Sequence, residues 1–486
     1  AGSNSAPGGV LVVTGSVVNV RGGPGTGYAV TGRVVKGQQL EAVEKKGDWY
    51  RVRLSSGQTG WVAGWLVKAV APGWDGSPSR GLDSDKPPEA VSLPFYPRVF
   101  ASPIRVALSL DALTAAFSAS GDYALIDGST GNILFKPAPN NAFTVTVKKI
   151  PEETVGRNAY LIQLERDRVF SGNYPGPLIL TEGQGGTGNS FQVTVDAVSR
   201  HYRGNLTVML NEGSLLLVNE LPLEEYLYGV VPCEMPPLWH PEALKAQAVA
   251  ARSYALHAVK YGGGLFYDVL ATQASQVYRG LDAEYTSTTG AVDGTRGLVL
   301  MENDRVVPAF FHSSDGGCTE NSEDVWRECV SSIRGRPDPY DRHPENPHYN
   351  WSVTYSVYDL AACLSLKGYP LSVVTEIYEI ERTSVGSKIK IVRVTGLDEN
   401  GQTKEYRLGN ADLVRLVFQL KAPPVSMNKE YDEETGALKA VTFVGSGWGH
   451  ALGMSQWGAR TMAEQGLRYS DILNFYYRGV TIREHL

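Results

Sequence analysis

The sequence predicts an α+β chain that is mostly β, and three observations predict it. Short strand-like runs separated by glycine-rich turns fill residues 10–70 and recur from residue 95 onward. Between them, residues 71–94 are rich in Pro, Gly, Ser and Asp and lack periodicity, which predicts an interdomain linker. Helix signals are few and local, the strongest being an alanine-rich run at 240–261. The expected organisation is a small N-terminal β-barrel over 10–70 and a larger mixed β/α region over 95–486, with 355–440 as a candidate β-rich insertion.

Length and composition bound the reading. A chain of 486 residues holds about three domains. With 42% hydrophobic and 20% charged residues it can build ordinary cores. The net charge of −6 argues against a nucleic-acid partner, which demands a basic surface. No run of about 18 apolar residues marks a membrane span. The opening 1–9 reads as a flexible lead-in, and the expectation is an extracytoplasmic, wall-associated protein whose signal segment has been removed. Four cysteines, Cys233, Cys318, Cys329 and Cys363, are too few for a disulfide framework.

In the N-terminal region the runs are 10–13, 17–20, 29–35, 39–45, 49–54 and 60–67. The phrase Val18-Asn19-Val20-Arg21-Gly22-Gly23-Pro24-Gly25-Thr26, with Trp49-Tyr50-Arg51-Val52 and Gly60-Trp61-Val62, resembles bacterial SH3 domains. That resemblance implies a module that tethers enzymes to cell-wall peptides. Trp49 and Trp61 are expected in its core, and Tyr28, on a turn, as a ligand contact.

Beyond the linker, strands are expected at 104–108, 123–126, 143–148, 160–164, 191–197 and 206–211, with a hairpin at 375–394. Pro241 suits the first position of the 240–261 helix, and Gly262-Gly263-Gly264 ends it. Further helices are expected at 410–420, 454–465 and 471–477, the last capped by Ser470.

Three segments carry the chemistry. The first runs Glu225-Tyr226-Leu227-Tyr228-Gly229-Val230-Val231-Pro232-Cys233-Glu234-Met235-Pro236-Pro237 into the alanine-rich helix. Glu234 reads as sitting on an apolar, proline-flanked turn, where surroundings poor in water raise a carboxyl pKa, as an acid catalyst requires. A solvated loop carboxylate is the competing structural reading. On the helix, Gln247, Ala251 and Tyr254 share one face, and Lys245 and Arg252 another. The second segment is Ser275-Gln276-Val277-Tyr278-Arg279-Gly280, followed later by Phe311-His312-Ser313-Ser314-Asp315-Gly316-Gly317-Cys318-Thr319-Glu320. The third is Gly447-Trp448-Gly449-His450-Ala451-Leu452-Gly453-Met454-Ser455-Gln456-Trp457. Its glycines let backbone approach a ligand, and its helix start offers free N–H groups.

Together these segments resemble the SpoIID family of lytic transglycosylases, and the resemblance spans roughly residues 100–486. It implies cleavage of peptidoglycan between N-acetylmuramic acid and N-acetylglucosamine, leaving a 1,6-anhydro end. One carboxyl group serves twice, as acid on the leaving oxygen and then as base on the sugar's own C6 hydroxyl. The family's catalytic Glu falls on Glu234. Candidate glycan contacts are Arg252, Tyr254, Gln276, Tyr278, Ser313, His450, Ser455 and Gln456. Some relatives bind zinc, and His312 and Cys318 match that pattern, with Cys329 as a third candidate ligand. A Cys318–Cys329 disulfide and free thiols stay open beside it. The reaction needs no activated water, so no cofactor is required and any zinc would be structural.

Partners implied are glycan strands, wall peptides at the SH3-like module, and a wall amidase. The family's members in sporulating bacteria act on glycan stripped of peptides. The alternative reading is a non-catalytic amidase enhancer or glycan-binding protein. A conventional glycosidase would need a second carboxylate from Glu320, Glu323 or Asp324. A cysteine peptidase would use Cys233, for which no Cys–His pattern speaks.

Overall fold

The computed structural model describes residues 10–13, 17–24, 28, 30–35, 39–46, 49–53, 59–63, 67–70, 103–137, 141–151, 159–183, 188–262 and 264–485. The lead-in at 1–9 and the linker expected at 71–94 lie outside the described residues. The chain divides into two units, Ala1–Ser92 and Leu93–Leu486.

The first unit is a sheet of β1 (Val10–Val13), β2 (Val17–Arg21), β3 (Val30–Val35), β4 (Gln39–Lys46), β5 (Trp49–Arg53), β6 (Thr59–Ala63) and β7 (Val67–Val70), ordered β3-β2-β6-β5-β4-β1-β7. Among the described side chains, Leu11 and Val13, then Val20, Leu40, Val52 and Val62, form the core. The run expected at 60–67 is two strands, β6 and β7. Trp49 and Trp61 are half-buried rather than core, because smaller β-branched side chains already fill the barrel. Tyr28 is exposed on its turn, its ring against Gly23.

The second unit begins with twelve strands. They are β8 (Pro103–Ala112), β9 (Thr114–Ser120), β10 (Tyr123–Asp127), β11 (Ile133–Phe135), β12 (Phe143–Ile150), β13 (Ala159–Arg166), β14 (Val169–Tyr174), β15 (Leu178–Glu182), β16 (Ser190–Val195), β17 (Val198–Tyr202), β18 (Asn205–Asn211) and β19 (Ser214–Pro222). One sheet runs β11-β10-β15-β18-β19-β8, with the short strand Val269–Leu270 added beside β8; the other runs β14-β13-β12-β9-β16-β17. Leu125, Leu180 and Leu206 of the first sheet share a core with Phe117, Phe143 and Phe191 of the second. The same core takes Tyr226, Leu227 and Val230 of α1 (Leu223–Glu234) and Ala248, Ala251 and Ala255 of α2 (Pro241–Tyr261). The β-sandwich thereby fixes the two helices that carry the first motif.

Further helices among the described residues include α3 (Thr286–Asp293), α4 (Val357–Ser365), α5 (Ala411–Val417), α6 (Gln456–Glu464) and α7 (Tyr469–Tyr476). Alanines at 243, 246 and 250 let α2 pack closely on Met462, Ile472 and Leu473 of the last two. Residues 351–445 have a core of their own, built from Leu360, Ile377, Val392, Val414, Phe418 and Phe443. Its hairpin, Val373–Arg382 with Ile389–Leu397, gains a third strand, Thr403–Leu408. It also holds α4, started by a Ser356–Asp359 capping box that the reading of the insertion as β-rich overlooked.

Candidate active site

Glu234 is the last residue of α1, not part of a free turn. Pro232, in the last turn, removes an N–H from the helix ladder, and the Cys233 thiol donates to the Gly229 carbonyl at 3.2 Å. A helix C-terminus carries partial negative charge and disfavours a carboxylate placed there. The Oε1 of Glu234 accepts the Val277 N–H at 2.7 Å. Burial raises the Glu234 carboxyl above its ordinary range, while the bonds from Val277 N–H and the Gln456 amide pull the other way. Glu234 lines a cavity of about 340 Å³ with Gln273, Ser275, Ser313, Arg415, Trp448, His450 and Gln456. It is the one carboxyl group lining that cavity among the described residues.

The second and third motifs meet beside it. Phe311–His312 pairs in parallel with Met454–Ser455, and Ser314 bridges to Trp448. The close approach demands glycine: a Cβ on Gly449 would lie 2.7 Å from the His312 Cβ, and one on Gly453 would lie 2.0 Å from the Phe310 carbonyl. Asp341 ties the motifs together by accepting the Ser314 hydroxyl at 2.7 Å and the Ser455 hydroxyl at 2.6 Å. Sequence reasoning did not find Asp341.

The expected glycan contacts separate into two groups. Ser313, His450 and Gln456 line the cavity. Tyr254 stands near it, its phenol raised by burial and by the Glu234 charge, against a bond from Ser275. Burial lowers His450 to about 4, so its ring is neutral, with Nδ1 accepting the Leu452 N–H.

The other four are structural. Arg252 is 1% exposed and makes two 2.8 Å bonds to Glu224, with further bonds to the Val292 and Leu298 carbonyls. It is a buried charge satisfied within the protein, and its face of α2 turns inward. Tyr278 is buried on Tyr226 and donates to Asn219. Gln276 is fully buried, accepting from Tyr226 and donating to the Ala251 carbonyl, and so fixes the backbone that presents Val277. Ser455 is fully buried, bonded to Asp341 and capping α6 through the Gly458 N–H.

The metal set is not assembled. Among the described residues no three His, Cys, Asp or Glu side chains are grouped to hold an ion. Cys318 is pushed up to about 12, first by burial and then by the Glu320 charge. Cys329 is exposed against Arg334, and all four cysteines are free. His312 donates from Nδ1 to the Leu452 carbonyl, and its buried Nε2 has no partner among the described residues. The residues do not fit a zinc site.

Candidate second carboxylates are also committed elsewhere. Glu323 pairs with Arg334, Asp324 with Lys390, and Glu320 is buried near Lys388. Another cavity, beside Arg203, Arg252 and Arg296, has each arginine already paired with a carboxylate. Several cavity residues were not among the expected contacts, Trp448 and Arg415 among them. Trp448, 43% exposed, had a signal in its place between two glycines. Arg415 had none, because an Asp412–Arg415 spacing on a short helix reads as an ordinary surface ion pair.

Stage II sporulation protein D of Bacillus amyloliquefaciens is 32% identical over 285 residues, 55% of this chain and 76% of that protein. An uncharacterized protein of Brachyspira hyodysenteriae is 33% identical over 291 residues, 58% of this chain and 73% of that protein. The chain belongs to the SpoIID family. The family model described as stage II sporulation protein matches residues 211–301 of this SpoIID-family protein, which include Glu234 and Val277. A bacterial SH3 domain matches 16–68, and a domain of unknown function matches 276–453. The amidase enhancer of Bacillus subtilis is 33% identical over 298 residues, 53% of this chain but 40% of that protein.

Proposed function

We propose that this SpoIID-family protein is a peptidoglycan lytic transglycosylase. The observation that carries the reading is the solitary carboxyl: among the described residues Glu234 lines the cavity with no second acid beside it. Most glycoside hydrolases use two carboxyl groups across the scissile bond, whereas an intramolecular attack needs one. Glu234, kept toward its neutral form by burial, protonates the glycosidic oxygen as the bond to C1 of N-acetylmuramic acid breaks. The C6 hydroxyl of the same sugar then closes on C1, and the Glu234 carboxylate takes its proton. The Val277 N–H holds one carboxyl oxygen in place and offsets the charge in the ionised half of the cycle. Ser313 and Gln456 offer polar groups to hydroxyl and acetamido groups, and the exposed Trp448 ring offers a flat apolar face to a sugar.

The protein acts at the cell wall, held there by the SH3-type module, with a wall amidase as a functional partner and wall remodelling during sporulation as a setting. Among the described residues no helix is long and apolar enough to cross a membrane. The likeness to an amidase enhancer favours a second reading, a non-catalytic partner of an amidase. Mass analysis of fragments from intact and peptide-stripped peptidoglycan tests both. Anhydro-muramic ends support the transglycosylase, new reducing ends indicate hydrolysis, and no new ends leave the enhancer.

A further inference from the structure

The domain of unknown function contributes one charged side chain to the cavity. Arg415 comes from α5, in the segment with its own core, yet it lines the same cavity as Glu234. Its Nε donates to Asp412 Oδ1 at 2.7 Å, while the other Asp412 oxygen takes the Trp326 indole N–H at 3.1 Å. The terminal nitrogens Nη1 and Nη2 make no hydrogen bond or ion pair with any described residue. Asp412 therefore fixes the guanidinium from one edge and leaves the two-pronged end free.

We infer that Arg415 binds a carboxylate of the glycan strand and so sets which strands the cavity accepts. This rests on the glycan-cleaving reading of that cavity. A guanidinium end presents two parallel N–H donors that match the two oxygens of a carboxylate, and sugar hydroxyls do not offer that pair. Peptidoglycan supplies a carboxylate from two sources. Muramic acid without a stem peptide carries a free lactyl carboxylate, which becomes an amide when the peptide is attached. Stem peptides carry carboxylates of their own.

The test is equilibrium binding by the full chain carrying Glu234→Gln, so that strands stay intact during measurement. Peptide-free strands, the same strands with their carboxylates amidated, and peptide-bearing strands are titrated against this protein. They are titrated likewise against versions that also carry Arg415→Gln or Arg415→Lys. Arg415→Gln weakens binding of carboxylate-bearing strands about tenfold, the scale of one charge-assisted pair. Amidation weakens binding to the Arg415 protein by the same factor and costs the Arg415→Gln version nothing further. Arg415→Lys, which keeps the charge and the Asp412 pairing but loses the fork, falls between. A loss confined to peptide-free strands identifies the lactyl carboxylate, and one confined to peptide-bearing strands identifies the stem. Equal weakening on amidated and free strands overturns the inference, as does unchanged binding in both variants. Native protein that binds in this carboxylate-dependent way without cutting would sink the transglycosylase reading alone. Cutting that ignores both Arg415 and amidation would sink the Arg415 inference alone.

Discussion

The amide nitrogen of Val277 lies 2.7 Å from Oε1 of Glu234 and joins two motifs 43 residues apart. Glu234→Gln keeps the side-chain oxygen that accepts this bond and removes the exchangeable proton. Cleavage falls at least about 10³-fold, the usual scale of a lost general acid-base group, while glycan binding and the melting temperature hold. Residual turnover near the native rate, with an intact fold, would remove Glu234 from the mechanism.

Gln456 tunes the same carboxyl. Its amide stabilises the ionised form, so Gln456→Leu raises the Glu234 pKa further. The first step needs Glu234 protonated, so kcat/KM declines as pH rises through that pKa. In the variant the declining limb moves to higher pH, which a pH profile on soluble strands reads directly. A limb that stays put or moves down contradicts the assignment.

Arg252 contributes to stability rather than to binding. Arg252→Met leaves Glu224, 17% exposed, without its partner and costs about 3 kcal/mol. Thermal or urea unfolding measures this, and KM per folded molecule stays unchanged. A raised KM at native stability would return Arg252 to the glycan contacts.

Asp315 gives a pH signature. Burial, then the charges of Asp338 and Asp341, hold its carboxyl well above the usual 3.8. The folded state thus keeps a proton that the unfolded chain gives up near that ordinary value. Stability conferred by this group falls as pH rises from about 4 toward the raised pKa. Asp315→Asn retains an acceptor for the Gly317 N–H and abolishes that slope. The variant's melting temperature exceeds the native value by a margin that widens with pH. A constant or shrinking margin would show that the buried acid carries no such linkage.

Removal of residues 1–92 lowers binding to whole walls while cleavage of short soluble strands persists, because a tether acts through local concentration. Sedimentation with walls and turnover on soluble strands separate the two effects. Loss of soluble turnover in a folded second unit would mean that the first unit takes part in the chemistry.

Period-two alternation made the sheets legible, and alanine content with Pro241 made α2 legible almost to the residue. The helix holding Glu234 was not, because Gly229, Val230, Val231 and Pro232 all count against helix locally. Burial of Tyr226, Leu227, Val230 and Val231 in the sandwich core overrides that bias. Motif position singled out Glu234, His450 and Gln456, which line one cavity. It could not separate cavity-facing members from Arg252, Tyr278 and Ser455, since a buried, self-satisfied polar residue has the same letter as one that faces a ligand. Asp341 and Arg415 had no motif to mark them and became visible only through their partners.

The pairing of His312 with Ser455, and of Gln247 with Gln456 across 209 positions, has a consequence for timing. Contacts this far apart form late, after the loop between them has closed. The acid on α1 can be made and packed into the sandwich long before the chain that supplies Gln456 and the Trp448 rim arrives. A chain that stops before Trp448 therefore carries Glu234 without three of the residues that complete its cavity, Trp448, His450 and Gln456.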